Sequence, residues 1–275
     1  MEQLILRAHD GAQTTITHHG AHVCSWIPAG GKEQLFLSKT SEFRAGAAIR
    51  GGVPVIFPQF AGLGALPKHG FARTSNWRLQ RSGHTEIGAA QAVFELHESI
   101  ATIALWPYVF RAELTVTVAG DSLDIALAVE NSGDTAFSFT AALHTYLAVE
   151  DIADVSVHGL AGLNYRDSAT GAENCVDTGE TLGIAGEVDR IYANVPAQLE
   201  LRQGAQSTLI KSYGFSDAVV WNPGAVKAAS LADLEPGGYR RMLCVEAGAI
   251  MDAVHLAPGE RWSGSQGLQA IPSPR

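Results

Sequence analysis

A chain of 275 residues, 46% hydrophobic and 17% charged, has material for a large globular core, built as one large domain or two small ones. Its formal net charge of −9 speaks against a nucleic-acid-binding face, and its longest apolar stretch, 51–67, is too broken by Pro54, Pro58, Gln59 and glycines to span a membrane. The first residues, MEQLILRAHDGAQ, carry neither the basic nor the apolar part of a secretion signal, and Cys24, Cys175 and Cys244 lie too far apart for a disulfide framework or a CxxC metal site, so a cytoplasmic location is expected.

In chain order, alternating β-branched runs predict strands at 14–17 (TTIT), 113–118 (ELTVTV), 123–129 (LDIALAV), 137–142 (FSFTAA), 154–157 (DVSV) and 241–245 (RMLCV). Turn clusters separate them at 29–31, 119–121, 131–134, 222–224 and 235–238. Short strands between such turns predict an all-β antiparallel sandwich or barrel. Helices are few: VKAASLADL (226–234) predicts two turns ended by Pro236-Gly237, and 41–49 is a weaker candidate. No fixed-period repeat or linker interrupts the chain, so residues 1–275 read as a single domain with a fraying tail at 270–275.

Charge is unevenly placed. Positions 43–85 contain no Asp or Glu but hold Arg44, Arg50, Lys68, Arg73, Arg78 and Arg81. A basic island in an acidic chain points to a local anion site; the alternative is long cationic side chains that merely cover a surface. Within it, LPKHGFART (66–74) sets His69 between Lys68 and Arg73, which disfavour a protonated imidazole. His69 is then either a neutral polar contact or part of a site that holds an anion.

In FSFTAALHTYLAV (137–149) the strand period puts Ser138, Thr140, Ala142, His144 and Tyr146 on one face, so His144 and Tyr146 can point into one cleft. The alternative is a core histidine bonded to a backbone carbonyl. Glu246 ends the apolar strand MLCVE and is either a general base with a raised pKa or a surface charge at a strand end. Asp189, in EVDRIY (187–192), is a possible ligand for sugar hydroxyls. His18, His19 and His22 tempt a metal reading, but His18 and His19 would face opposite ways from a strand and are expected to be exposed, so no metal is expected. There is no P-loop, no strand-linked GxGxxG and no GxSxG elbow.

Taken in order, IRGGVPVIFPQF (49–60), LPKHGFAR (66–73), ALHTYLAV (142–149), EVDRIYANV (187–195), DAVVWNPG (217–224) and MLCVEAG (242–248), with GAHVCSW (20–26), resemble the hexose-6-phosphate 1-epimerases, mutarotases related to aldose 1-epimerase. The resemblance spans nearly the whole chain. It implies a galactose-mutarotase-like β-supersandwich without metal or organic cofactor. It implies His144 as general acid, Glu246 as general base, Asp189 on sugar hydroxyls, Arg50 and Arg73 on the 6-phosphate, and His69 lining the sugar pocket. The family commonly carries Gln where this chain has Lys68, and lysine cannot accept a hydrogen bond, although its charge can attract phosphate. The partner implied is a small phosphosugar, not nucleic acid or membrane, and a monomer is expected. The acid and base are expected on opposite sides of the pocket.

Overall fold

The structure, a computed structural model, describes residues 1–271. These residues form three antiparallel sheets of three, eight and nine strands. The predicted runs all appear, as Gln13–Thr17, Phe110–Ala119, Ser122–Asn131, Phe137–Leu143, Val155–His158 and Met242–Leu256. The two large sheets stack with the main core between them. Val220, Leu143, Val245 and Ala247 of the eight-stranded sheet meet Leu114, Ile125, Leu127, Leu201 and Leu268 of the nine-stranded sheet.

Alternation explains which face goes where. Along Phe137–Leu143 the odd positions enter the main core, while Ala142 and then Tyr146 join a second, smaller apolar cluster on the outer face of the eight-stranded sheet. That cluster also holds Ile56, Ile191, Val219, Trp221 and Cys244, roofed by Phe36, Phe60 and Leu234 from connecting segments. The central strand Met242–Leu256 is therefore buried on both faces through Ile250. Its first part reads as a nearly unbroken apolar run for that reason. A carboxylate within it, Glu246, stands out chemically.

The helices depart from expectation. Only Gly224–Ala228 is α-helical within the 226–234 region. Ser230 Oγ donates back to the Lys227 carbonyl, and the chain then turns so that Leu234 and Glu235 reach buried anchors. Residues 41–49 form bends and turns with no helix. A helix at Ile100–Leu105 has no counterpart among the predicted elements. Its capping box pairs Ser99 with Thr102 where Glu or Gln is the usual signature. Ala270 and Ile271 do not fray but close the strand Arg261–Ile271; positions 272–275 lie outside the described residues.

The early histidines are not exposed pairs either. His19 and His22 are buried and set their Nε2 atoms 2.7 Å and 2.8 Å from the carbonyls of Ala47 and Gly51. Burial holds His22 near pKa 3, so it is a neutral structural contact. No helix among the described residues is long and apolar enough to cross a membrane.

Candidate active site

The eight-stranded sheet sets its polar residues in rows. Leu143 pairs with Ala247 and Tyr146 with Cys244, so the unchanged register places His144 opposite Glu246. Glu246 pairs in turn with Val219, and Cys244 with Trp221, which pairs with Asp189. Directly paired residues share a sheet face. His144 and Glu246 thus form one row, and Tyr146, Cys244, Trp221 and Asp189 the next, all on the outer face away from the main core.

His144 Nδ1 lies 3.3 Å from Glu246 Oε1, and both side chains are buried. The contact lacks hydrogen-bond alignment, leaving Nδ1 and Glu246 Oε2 without partners among the described residues. The two groups are cross-strand neighbours, which corrects the expectation of opposite pocket walls. Strand pairing dictates this, because the interruption at 144–145 preserves the register. From the opposing sheet, buried Gln266 reaches through the core: its Oε1 accepts from Thr145 Oγ1, and its Nε2 donates to the Val245 carbonyl at 3.0 Å. One amide thereby ties together the residues adjacent to His144 and Glu246.

Their electrostatics run in opposite directions. Burial lowers the His144 pKa well below its ordinary value, helped by His69, Arg50 and Arg73 nearby. Burial raises Glu246 well above the carboxylate range, with Asp189 adding to the effect and Arg73 opposing it. A strong acid site beside a strong base site suits a proton that must move both ways. Asp189 is also raised, by burial first, while Lys227, 3.9 Å away, opposes the shift.

Cations gather at one end. The turn carrying His69 has two successive left-handed residues, His69 at φ 68° and Gly70 at φ 65°. A Cβ at Gly70 would lie 2.2 Å from the Phe57 carbonyl, so glycine is required there. For His69 the strain, about 1–3 kcal/mol, is offset by a ring of bonds. His69 N donates to the Ala61 carbonyl at 2.9 Å, and Ala61 N donates to His69 Nδ1 at 3.2 Å. Gln59 holds the same loop through Ala61 and Leu66. With Nδ1 an acceptor, the neutral ring carries its proton on Nε2. Burial, then Arg73, Lys68 and Arg50, press the His69 pKa to about 3, which explains a histidine among cations as a permanent neutral donor. Its ring meets that of His144 edge-on at 5.6 Å.

Arg50 donates to Tyr146 Oη at 3.0 Å and contacts Asp233 at 3.1 Å. Burial works against its charge, yet Tyr146 and Asp233 leave its pKa above the ordinary value. Arg73 donates to the Lys68 carbonyl at 3.0 Å, and its buried Nε has no partner among the described residues. Burial lowers its pKa, and Arg50 adds to this while Tyr146 opposes it. The rest of the basic island goes elsewhere: Arg44 pairs with Glu42 and Arg78 with Glu95, and Arg81 is exposed on the strand Arg78–His84. Thus Arg50, Lys68, His69, Arg73, His144 and Glu246 come together, with Asp189 on the same face.

Two residues were assigned no role from sequence. Tyr146 stacks on His144 at 4.8 Å, with 9° between the rings, and holds Arg50 through its hydroxyl. Its place on the His144 face was the available signal. Asp233 was hidden inside an expected helix, and no sequence signal marks it.

The model of the family described as aldose 1-epimerase matches residues 2–269. A relative from Cenchrus ciliaris, provisionally named glucose-6-phosphate 1-epimerase, is 34% identical over 99% of this chain and 86% of its own length. One of the same provisional name from Escherichia coli is 38% identical over 88% of this chain and 82% of its own. A crystal structure from Salmonella typhimurium, provisionally titled a mutarotase, superposes with a TM-score of 0.90 at 29% identity, covering 99% of this chain and 90% of that one. With the rows of the outer sheet face and a family match along almost its whole length, the chain belongs to the aldose 1-epimerase family.

Proposed function

We propose that this epimerase interconverts the α and β anomers of hexose 6-phosphates, glucose 6-phosphate foremost, by opening and reclosing the sugar ring. The observation that carries the reading is Arg73, a half-buried guanidinium whose buried Nε has no partner among the described residues, beside Arg50 and the His144–Glu246 pair. Neutral sugars need no such cation, whereas guanidinium forks fit phosphate oxygens. The relatives' names support the same substrate class.

In ring opening, one group of the pair takes the proton from the anomeric hydroxyl and the other delivers a proton to the ring oxygen. Rotation about C1–C2 and reclosure give the other anomer. Closure reverses both transfers, so His144 and Glu246 exchange roles within one turnover. Their opposed shifts suit this: burial makes His144 a better acid and Glu246 a better base. Substrate phosphate would neutralise the arginines that depress His144 and so help it hold a proton. Asp189 accepts from sugar hydroxyls, and His69 Nε2–H donates into the pocket. All these residues come from one chain, and a monomer is the proposed working unit.

The test is anomer exchange followed by NMR for glucose 6-phosphate, glucose and galactose, with spontaneous exchange subtracted. Faster catalysis of the free sugars would replace this reading with an aldose 1-epimerase of neutral substrates. The proton-transfer pair works without a metal, so full activity is expected after exhaustive EDTA treatment; loss on chelation, restored by one added metal, would sink the mechanism.

Lys68 is expected to tune activity. Its carbonyl braces Arg73 whatever the side chain, and the ammonium is exposed. Lys68→Gln should leave a working enzyme with a changed preference among glucose, mannose and galactose 6-phosphates. Abolished turnover on all three would mean that the ammonium is part of the essential pocket.

A further inference from the structure

Arg50 and Arg73 differ in how their charge is met. Arg73 has a backbone carbonyl for a partner, whereas Arg50 faces the Asp233 carboxylate at 3.1 Å. The fold secures this pair from both sides. Beside Asp233, Leu234 is buried in the outer cluster, and Glu235 Oε2 accepts from Ser38 Oγ at 2.7 Å and Lys39 N at 3.0 Å. Ser38 N in turn donates to the Arg50 carbonyl at 2.9 Å, and Arg50 N donates to Ser41 Oγ at 2.7 Å. The backbone segments bearing the two charges are therefore fastened together. The Asp233 side chain itself is 32% exposed and has water to turn into.

We propose that Asp233 is a built-in counter-anion for Arg50 that a substrate's 6-phosphate displaces, so that Asp233 sets how much negative charge a sugar must carry to enter. This rests on the phosphosugar reading above. A sugar carboxylate exchanged for the Asp233 carboxylate gains little, one monoanion replacing another on the same guanidinium. A phosphate dianion brings more charge and enough oxygens to engage Arg50 and Arg73 together. Asp233 thereby lowers the affinity of every anion at Arg50 by the cost of its own displacement, a threshold that a phosphate dianion clears and a monoanion does not, at some expense in phosphate affinity.

The experiment is calorimetric binding of non-reacting probes to wild type, Asp233→Asn and Asp233→Ala. The probes are 1,5-anhydroglucitol 6-phosphate, unphosphorylated 1,5-anhydroglucitol, and 1,5-anhydroglucitol oxidised at C6 to a carboxylate as a monoanion. Both variants should bind the phosphorylated probe about tenfold more tightly, as expected when one like charge a few ångströms away is removed. The C6 carboxylate probe should also bind more tightly, and the neutral probe should change much less. Unchanged or weaker binding of the phosphorylated probe in both variants would overturn the proposal and leave Asp233 as a support for Arg50. The two ideas fail differently. If wild type binds the phosphorylated and neutral probes alike, the phosphosugar reading falls first. If wild type prefers the phosphorylated probe and the variants do not tighten, only the role of Asp233 is lost.

Discussion

Glu246→Gln is expected to slow anomer exchange of glucose 6-phosphate by roughly 10²–10⁴ while preserving the fold, the usual span for loss of one general acid–base group. Gln keeps the shape and polarity of a carboxyl but holds no transferable proton. The position opposite His144, at 3.3 Å, makes it a direct test of the pair. Stability should move the other way. A carboxyl raised by burial has its folded pKa above the ordinary 4.5, so its contribution is present below that value and lost as pH rises through the folded pKa. Above the usual carboxylate range the wild type therefore holds a site that resists ionisation. Glu246→Gln should melt at an equal or higher temperature, with its advantage growing from pH 5 to pH 8. A slow, stable variant would separate catalysis from folding, as expected for a group kept in an unfavourable state for function. Near wild-type exchange in the purified, folded variant would remove Glu246 from the mechanism.

The strands and the sandwich were legible because each depends on local pattern, whereas the roles proposed for the site residues came from the family resemblance. Alternation from Phe137 onward put His144 and Tyr146 on one face, and the same alternation sends Phe139 and Leu143 to the main core. The spatial relation of the site residues was not legible. His144 and Glu246 are 102 positions apart, and only the pairing of Leu143 with Ala247 makes them neighbours and not opposing walls. Helix limits failed for a related reason. The 226–234 region has good local propensity, but Leu234 and Glu235 are drawn to the outer cluster and to Ser38, and those tertiary anchors end the helix at Ala228. The basic island was legible as a count of charges only. Arg78 and Arg44 are taken by carboxylates elsewhere, and the difference between Arg50 with its Asp233 and Arg73 without one emerges only in three dimensions.

That difference makes Arg73 the sharper probe of substrate choice. Arg73→Ala is expected to lower kcat/KM for glucose 6-phosphate by roughly 10- to 150-fold, since a hydrogen bond to a charged group is worth about 1.5–3 kcal/mol. The wild-type guanidinium is half-buried, has an Nε without a partner among the described residues and carries a pKa lowered by burial and by Arg50, so an arriving dianion relieves an existing imbalance. Unphosphorylated glucose gains nothing from that relief, and its kcat/KM should change far less. Arg73→Lys keeps the charge without the fork and should fall between the two. Added salt should depress glucose 6-phosphate turnover in wild type more than glucose turnover, and this gap should shrink in Arg73→Ala as the screened contact is removed. One structural effect must be separated: Arg73 also braces the Lys68 carbonyl, and through it the turn that aims His69. Damage to that turn would reach both sugars, because the role proposed for His69 is in the sugar pocket and not on the phosphate. Equal losses on glucose 6-phosphate and glucose would therefore place Arg73 in the support of the turn, and the phosphate assignment would fail.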